Sequence, residues 1–302
     1  MKTGKHPQSG CDLSEWKGNS LWDPGSLRKV QKHPCYSKKA AHLFGRIHLP
    51  VAPKCNLECN YCIREYDCIN ETRPGVTSKV LAPLEALERV AEVISRVPNI
   101  TVVGIAGPGE PLFNPETFET FRLVREEFPR LKKCMSSNGL LLVEKIHQIT
   151  ELDIQTITVT VNAVNPLIAQ RIYSSVYYRG ITLRGLEAAR VLVEKQLSGI
   201  EVAAEKGIII KVNTVLIPTI NEDHVLEIAK KVKMLGACVL NVMPLIPQHK
   251  FAHLTPPSGG ERKAIQDQCA AVIPQMRHCR QCRADAVGRL GEDSQNAALG
   301  LE

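Results

Sequence analysis

Three cysteines within eight residues, Cys55, Cys59 and Cys62, constrain this chain more than any other feature of its sequence. They follow the apolar stretch 47–53 and therefore lie on a short loop after a predicted strand. Three thiolates on one loop suit a 4Fe–4S cluster in which one iron has no protein ligand, so that this iron can bind a small molecule and pass an electron to it. The alternatives are a zinc site, which usually takes four ligands, and a redox thiol site, which needs only two cysteines.

The composition is that of a globular protein. The hydrophobic content of 44% and the charged content of 23% are ordinary, and 302 residues can form one large domain or two small ones. No apolar run is long enough to cross a membrane, and the amino terminus lacks the apolar centre of a signal peptide. We therefore expect a cytoplasmic protein without a membrane partner, in which eleven cysteines are metal ligands rather than disulfides.

The formal net charge of +7 raises the question of nucleic acid. The basic residues are scattered, however, and only 5% of the residues are aromatic, so no basic tract with interleaved aromatic side chains is present in the sequence. We expect no nucleic-acid partner. Surplus positive charge can instead offset anionic clusters and a polar substrate inside the protein.

Strand and helix patterns alternate from about residue 43 onward. Six strand-then-helix units predict a parallel sheet with right-handed crossovers, and six are too few to close an eight-unit barrel. The predicted fold is α/β, a partial TIM-like (βα)6 barrel over 41–249 with an irregular N-terminal arm at 1–40 and a C-terminal extension at 250–302. The predicted strands are 44–51, 100–106, 131–136, 156–161, 208–217 and 239–243, and the predicted helices are 84–97, 115–128, 140–150, 182–206, 223–235 and 261–272.

The spacing of the three loop cysteines resembles the signature of the radical-SAM enzymes. In that family the fourth iron binds the amino and carboxyl groups of S-adenosylmethionine, which implies a radical-SAM barrel with the loop cysteines as catalytic cluster ligands. The segment from Gly107 through Gly109 to Glu110 resembles the family's glycine-rich motif for the amino group of S-adenosylmethionine, although a simple turn is the alternative. Glycines let a backbone approach a ligand closely, and Glu110 can accept a hydrogen bond from an ammonium group.

Polar residues also lie at the ends of the other predicted strands or, in the case of Asn213, on a strand, and ligands of a parallel barrel bind at the carboxyl ends of its strands. The polar candidates can bind the ribose or the carboxylate of S-adenosylmethionine, and the one methionine among the candidates can form an apolar wall for adenine. Each polar residue can equally cap the end of a strand. These candidates are Ser136, Asn138, Thr160, Asn162, Asn213 and Met243.

Longer segments resemble a narrower group, the NifB family of nitrogenase cofactor-assembly proteins. The resemblance runs in order from about residue 30 to residue 293, and the chain ends soon afterwards, as in short family members that lack a carrier domain. Its most specific part is the motif with the Cys279–Cys282 pair near the C-terminus. The matching segments are 33–37, 46–48, 51–56, 66–68, 70–76, 104–109, 241–246 and 276–288.

This resemblance implies a radical-SAM enzyme that fuses two further 4Fe–4S clusters, its substrates, into an eight-iron cluster with an inserted carbide and an extra sulfur. The carbide carbon comes from the methyl group of one S-adenosylmethionine, and a second is cleaved to the 5′-deoxyadenosyl radical, so the chemistry combines lyase and methyl-transfer steps. The implied partners are an iron–sulfur cluster donor, an electron donor such as a ferredoxin, and carrier or scaffold proteins of nitrogenase assembly. A peptide-modifying radical-SAM enzyme with auxiliary clusters and a non-catalytic iron–sulfur or zinc scaffold are the alternatives.

Eight cysteines lie outside the loop and supply candidate ligands for the substrate clusters. Cys238 and Cys269 lie in apolar surroundings and are expected to be small buried residues, and Cys11 is expected to be a free thiol. Five thiolates remain, and with one histidine they give three ligands to each cluster, which leaves an iron open on both. These five are Cys35, Cys68, Cys134, Cys279 and Cys282, of which the last two are expected to share one cluster.

His48 is the predicted nitrogen ligand. It alternates with Ile47 and Leu49 on a strand, so it faces the barrel interior if those two side chains pack against the helices. A neutral imidazole binds iron more weakly than a thiolate and can be displaced as the clusters fuse. His33, two residues before Cys35, is the alternative.

Overall fold

The computed structural model describes residues 24–63, 65, 67–68 and 79–292. Within these ranges, no helix is both long enough and apolar enough to span a membrane. The strands are β1 (Gly45–His48), β2 (Leu57–Cys59), β3 (Ile100–Ile105), β4 (Lys132–Ser137), β5 (Ile154–Thr160), β6 (Tyr173–Tyr178), β7 (Ile181–Arg184), β8 (Ile209–Leu216), β9 (Val239–Pro244) and β10 (Val287–Gly288). The α-helices are α1 (Pro24–Val30), α2 (Lys38–Leu43), α3 (Pro83–Arg96), α4 (Pro115–Glu127), α5 (Leu142–Glu151), α6 (Pro166–Ile172), α7 (Gly185–Glu205), α8 (Val225–Met234) and α9 (Gly259–Ala270).

Six parallel strands form the centre of the molecule. Strands β1, β3, β4, β5, β8 and β9 pair in parallel in the order of the sequence, and helices lie between them along the chain. Strand β10 adds an antiparallel seventh strand at the β1 edge. The sheet is an open half-barrel, so the predicted α/β partial barrel with six strand-then-helix units is confirmed.

Alternation along the strands separates an apolar outer layer from a polar interior. Ile47 and Leu49 are fully buried in the main apolar core, and His48 between them points to the opposite face, as predicted. The helices cover the outer face of the sheet with aliphatic and aromatic side chains. This core includes Val90 of α3, Phe121 of α4, Ile149 of α5, Ile200 of α7 and Ile228 of α8.

A second sheet supports the cysteine loop. It has the order β2-β6-β7, and β2 lies within the loop itself, where it pairs antiparallel with β6. Strands β6 and β7 form a hairpin whose two turn residues, Arg179 and Gly180, have φ angles of 51° and 82°. The predicted helix 182–206 therefore starts too early, since α7 begins at Gly185. Helix α6 and this hairpin were not predicted.

The N-terminal arm is ordered where the structure describes it. Helices α1 and α2 occupy much of 24–43, and Ser37 caps the N-terminus of α2, where its side-chain oxygen accepts a hydrogen bond from the Ala40 N–H. The prediction of an irregular arm up to residue 40 is therefore wrong for this part. Helices as short as α1 and α2 show little hydrophobic periodicity in the sequence, so no pattern indicated them. Residues 1–23, which include Cys11, lie outside the described residues.

The C-terminal extension folds back onto the first strand of the barrel. Strand β10 pairs with β1, and the buried Arg46 side chain donates hydrogen bonds to the carbonyl groups of Gly288, at 2.6 Å, and Arg289, at 3.0 Å. The predicted helix 261–272 corresponds to α9. The extension pairs with Leu240 of β9 through Gln275 and with β1 through β10, so the segment with Cys279 and Cys282 between these points crosses from one edge of the sheet to the other and lines the barrel interior.

Candidate functional site

The three loop cysteines line one cavity at the carboxyl end of the sheet. Cys55, Cys59 and Cys62 share this cavity with Cys68 and Glu110. The Cys62 N–H donates to the Cys59 carbonyl group at 3.1 Å, which closes a tight turn between the last two cysteines. Three thiols around one cavity match the donor set of a cluster with an open iron, so the residues fit the group that the spacing predicts.

The glycine-rich segment holds the cysteine loop in place. The Glu110 N–H donates to the carbonyl group of Lys54 at 2.8 Å, and the Cys68 N–H donates to that of Pro108 at 2.8 Å. A Cβ atom on Gly109 would lie only 2.3 Å from the Lys54 carbonyl oxygen. The close approach of the loop backbone therefore requires glycine at position 109, in addition to any approach of a ligand.

Glu110 joins the ends of two neighbouring strands. Its buried carboxylate accepts hydrogen bonds from the Leu112 N–H at 3.0 Å, the Ser137 hydroxyl at 2.6 Å and the Asn138 N–H at 2.7 Å. Because Glu110 also lines the loop-cysteine cavity, it can face a ligand while it organises the cavity wall. Ser136 and Asn138, two further candidate ligand-binding residues, line the same cavity.

A chain of side-chain hydrogen bonds ends at an unsatisfied donor beside Cys55. The Leu140 N–H donates to Asn138 Oδ1 at 3.0 Å, and Asn138 Nδ2 donates to Asn56 Oδ1 at 2.7 Å. This order fixes the orientation of both amides and leaves Asn56 Nδ2 buried without an acceptor among the described residues. A buried N–H group without a partner is unfavourable, so this donor fits a site where a sulfur or oxygen acceptor is bound.

A second cavity lies in the barrel interior. Ser136 lines both cavities, so they are adjacent. Asn213 and Met243, predicted from the strand ends, line this second cavity rather than the one at the cysteine loop. Six of the candidate cluster ligands line it as well: His33, Cys35, His48, Cys134, Cys279 and Cys282.

The position of His48 depends on a glycine in the next strand. His48, Gly104 and Cys134 are aligned across β1, β3 and β4. A Cβ atom on Gly104 would lie 2.9 Å from His48 Cδ2 and 3.0 Å from Cys134 Sγ, so the absent side chain leaves the room that both groups occupy. His48 Nδ1 lies 2.9 Å from the Arg283 carbonyl oxygen and must carry the proton, because a carbonyl group only accepts. Nε2 therefore keeps its lone pair, the arrangement usual in a metal-binding histidine.

His33 is arranged differently. Its Nδ1 accepts a hydrogen bond from the Cys35 N–H at 3.2 Å, and its Nε2 lies 3.4 Å from the Thr156 hydroxyl. Both ring nitrogens are thus engaged, and the lone pair is already used. Burial lowers the pKa of His33 to about 3 and that of His48 to about 4, so both imidazoles are neutral. The geometry favours His48 over His33 as a ligand.

The remaining cysteines differ in their placement. Cys68 lines the loop-cysteine cavity, apart from Cys35 and Cys134, with which the sequence argument grouped it. Cys238 and Cys269 are buried among apolar side chains, as predicted. In the part of the chain that the structure describes, no three His, Cys, Asp or Glu side chains form a group that could hold a single metal ion. The assignment of ligands to clusters therefore stays a prediction.

Three residues predicted to bind S-adenosylmethionine line neither cavity: Gly107, Thr160 and Asn162. Asn162 is fully buried, and its Nδ2 donates to the hydroxyl groups of Tyr61 at 2.6 Å and Tyr173 at 3.1 Å. Its Oδ1 accepts from the Val215 N–H at 2.9 Å. For Asn162, the alternative of a structural cap at the strand end describes the structure better.

Lys211 was not identified from the sequence. It lies in β8, its side chain is 6% exposed, and it lines the second cavity. Burial raises the pKa of the Cys35 thiol to about 11, and the positive charge of Lys211 acts in the opposite direction. The signal in the sequence is a lysine between Ile210 and Val212 in a strand that is buried along its whole length.

The chain is similar to known proteins over most of its length. Residues 49–232 match the Radical SAM superfamily. The chain is 48% identical to the FeMo cofactor biosynthesis protein NifB of Herbaspirillum seropedicae, in a match that covers 95% of this chain and 55% of that protein. It is 50% identical to the protein of the same name from Methanocaldococcus infernus, with 87% of each chain covered. Across the bacterial relatives of that name, the chain spans between 55% and 63% of their length.

A solved structure has the same fold. The radical SAM methyltransferase from Sphaerobacter thermophilus superposes with a TM-score of 0.53 at 18% identity, and the match covers 77% of this chain and 64% of that chain. At this level of identity the likeness concerns the fold alone.

Proposed function

Because the chain belongs to the radical SAM superfamily and, within it, to the family of the FeMo cofactor biosynthesis protein NifB, we propose that it builds the eight-iron precursor of the nitrogenase cofactor. It fuses two 4Fe–4S clusters and inserts a carbide derived from S-adenosylmethionine together with an extra sulfur. The observation that carries this proposal is a pair of adjacent cysteine-lined cavities. The three loop cysteines line the first, and further cysteines and histidines, which are candidate cluster ligands, line the second.

The first cavity has the residues for S-adenosylmethionine. Cys55, Cys59 and Cys62 would hold a 4Fe–4S cluster, which would supply the electron for reductive cleavage of S-adenosylmethionine. Glu110 accepts a hydrogen bond from its ammonium group, and the buried Asn56 Nδ2 donates to an acceptor bound at the loop. The hydrogen bonds of the glycine-rich segment hold the loop against the sheet, so these groups keep their positions.

The second cavity has the residues for the substrate clusters. Four cysteines and His48 line it, and incomplete ligation by each set leaves iron open for fusion. His48 provides a ligand that is weaker than a thiolate and easily displaced. Ser136 lines both cavities, so the group derived from S-adenosylmethionine would reach the substrate clusters near this residue.

We assign the partners by the same reasoning: an iron–sulfur cluster donor, an electron donor such as a ferredoxin, and carrier or scaffold proteins that receive the product. The ten cysteines in the described ranges form no disulfide with one another, and we propose a reducing compartment such as the cytoplasm.

Two assays test the proposal on anaerobically reconstituted protein. Reductive cleavage of S-adenosylmethionine to 5′-deoxyadenosine separates an enzyme from a non-catalytic scaffold, and Cys59→Ala is the matched inactive variant because it removes one ligand of the loop cluster. Activation of cofactor-deficient nitrogenase by the product separates cluster fusion from peptide modification. Cleavage at the wild-type rate by Cys59→Ala, or cleavage without an eight-iron product, would contradict the proposal.

A further inference from the structure

The second cavity has an unusual distribution of charge. Two cationic side chains, Lys211 and Arg280, line it, and none of the described residues that line it is Asp or Glu. Arg280 is exposed, so solvent and salt screen its charge. Lys211 is buried, so its charge acts on the cavity with much less screening. A cavity of this kind suits an anionic guest.

The fold holds Lys211 in this position rigidly. In the sheet register, Lys211 pairs with Thr158 of β5 on one side and Val239 of β9 on the other. It shares the cavity wall with Thr158 and with Asn213, two residues further along β8. Its Nζ atom lies 4.0 Å from the sulfur of Met276, another lining residue. The ammonium group thus approaches the cavity from a strand that has a hydrogen-bonded neighbour on each side, and its side chain is buried.

We propose that Lys211 is a positioning residue that retains the thiolate-bound substrate clusters in the second cavity and raises their reduction potential. Thiolate ligands give an iron–sulfur cluster a net negative charge, and its potential depends on that charge, on nearby hydrogen bonds and on solvent exposure. Attraction between the Lys211 ammonium group and the thiolate-bound clusters acts through a buried region where solvent screens it little, so the two stabilise each other. This inference rests on the proposed function, because that function puts clusters in this cavity.

The test compares two buried lysines that differ in the face of the sheet they occupy. Lys211→Met keeps the length of the side chain and removes the charge. Lys133→Met is the control, since Lys133 of β4 is 1% exposed, does not line the cavity and lies 3.5 Å from Asp153. Both variants are reconstituted anaerobically with ferrous iron and sulfide. Iron per chain and the midpoint potentials of the clusters, from redox titration followed by paramagnetic resonance, are the readouts.

We expect Lys211→Met to lose at least half of the iron in the second cavity and to shift the potentials of the remaining clusters there to more negative values. Lys133→Met is expected to match the wild type in both readouts. Lys211→Arg keeps the charge, so it should preserve the potentials. This variant also covers the case in which Lys211→Met does not fold, because a structural role that depends on the shape of lysine would fail with arginine as well. Unchanged iron content and potentials in Lys211→Met, or equal changes in Lys133→Met, would overturn the proposal.

The outcome also distinguishes this inference from the proposed function. If the wild-type protein takes up iron only at the loop cysteines, the proposed function fails first. If it fills both cavities and Lys211→Met fills them equally well with the same potentials, only the role of Lys211 is refuted.

Discussion

At the scale of single residues, Glu110 combines a structural and a ligand-binding position. Its carboxylate accepts from Leu112, Ser137 and Asn138 and lines the loop-cysteine cavity. Glu110→Ala leaves these buried donors unpaired, and each unpaired donor costs about 1–3 kcal/mol. We therefore expect a loss of at least roughly 2 kcal/mol in the free energy of unfolding of the cluster-free protein, measured by chemical denaturation.

The same substitution tests the proposed contact with S-adenosylmethionine. Loss of a charge-assisted hydrogen bond worth about 1.5–3 kcal/mol weakens binding roughly tenfold to over a hundredfold. Calorimetry of the reconstituted protein measures this affinity, and Glu88→Ala, at an exposed position of α3, is the control. An unstable Glu110→Ala protein with normal affinity would leave Glu110 a structural role only.

His48 is the second residue whose role can be tested alone. Its Nδ1 donates to the Arg283 carbonyl group and its Nε2 keeps a lone pair, whereas the lone pair of His33 is used by the Cys35 N–H. His48→Ala should therefore lose the imidazole nitrogen coupling of a substrate cluster in pulsed paramagnetic resonance and fail to give the fused product. Cleavage of S-adenosylmethionine at the loop should remain. A nitrogen coupling that persists in His48→Ala and disappears in His33→Ala would assign the ligand to His33.

Sequence reasoning found residues whose roles depend on local spacing and missed those that depend on distant partners. Alternation along one strand was enough to turn His48 inward. The hydrogen bonds of Asn162 with Tyr61 and Tyr173 could not be expected from the sequence, because both tyrosines lie outside the strand that precedes it. Lys211 was missed because a lysine in a strand is ordinarily placed at an edge or on a solvated face, and only the sheet register shows that it lines a cavity.

At the scale of elements, the six parallel strands were predictable and the β6–β7 hairpin was not. Strands β3, β5 and β8 are rich in β-branched residues, which is a strong local signal of a buried strand. The hairpin has exposed positions and no clear alternation, and its pairing with β2 of the cysteine loop joins segments more than a hundred residues apart. Non-local pairing of this kind leaves little trace in the sequence.

Gly104, in β3, and Gly109, in the segment after β3, give a matched pair of tests. A Cβ atom on Gly104, in the middle of β3, meets side-chain atoms of His48 and Cys134 at about 3 Å. A Cβ atom on Gly109 meets the backbone carbonyl group of Lys54 at 2.3 Å. We expect Gly104→Ala to displace the two candidate ligands and to lose iron from the second cavity while 5′-deoxyadenosine is still formed. Gly109→Ala should instead displace the cysteine loop, lose its cluster and abolish cleavage.

Iron counting together with the cleavage assay distinguishes these two patterns. Overpacking costs about 1–3 kcal/mol, so both variants should still fold, and circular dichroism checks this. If Gly104→Ala and Gly109→Ala lose the same cluster, the separation of the two cavities as independent ligand sets is wrong.

At the scale of the whole molecule, the two sets of cysteines differ in how far apart their members lie in the sequence. The loop set comes from one segment of eight residues that one small sheet and one glycine-rich segment hold. The second set is drawn from the N-terminal arm, the barrel and the C-terminal extension. The first set is therefore a local structure and the second requires the completed fold, including the pairing of β10 with β1.

This difference predicts how iron is distributed among variants. The wild-type protein should bind about twelve irons, as three clusters of four. A Cys279→Ala, Cys282→Ala double variant should keep the loop cluster and form 5′-deoxyadenosine, but lose about four irons or more, because both thiols lie in the extension and line only the second cavity. Cys59→Ala should show the reverse, with about eight irons kept in the second cavity and no cleavage. Iron analysis with paramagnetic resonance, before and after addition of S-adenosylmethionine, measures both, since only a loop cluster should change its spectrum. Loss of the loop cluster in the double variant would mean that the extension is needed to form the first site as well, and that the two cavities are a single cooperative unit.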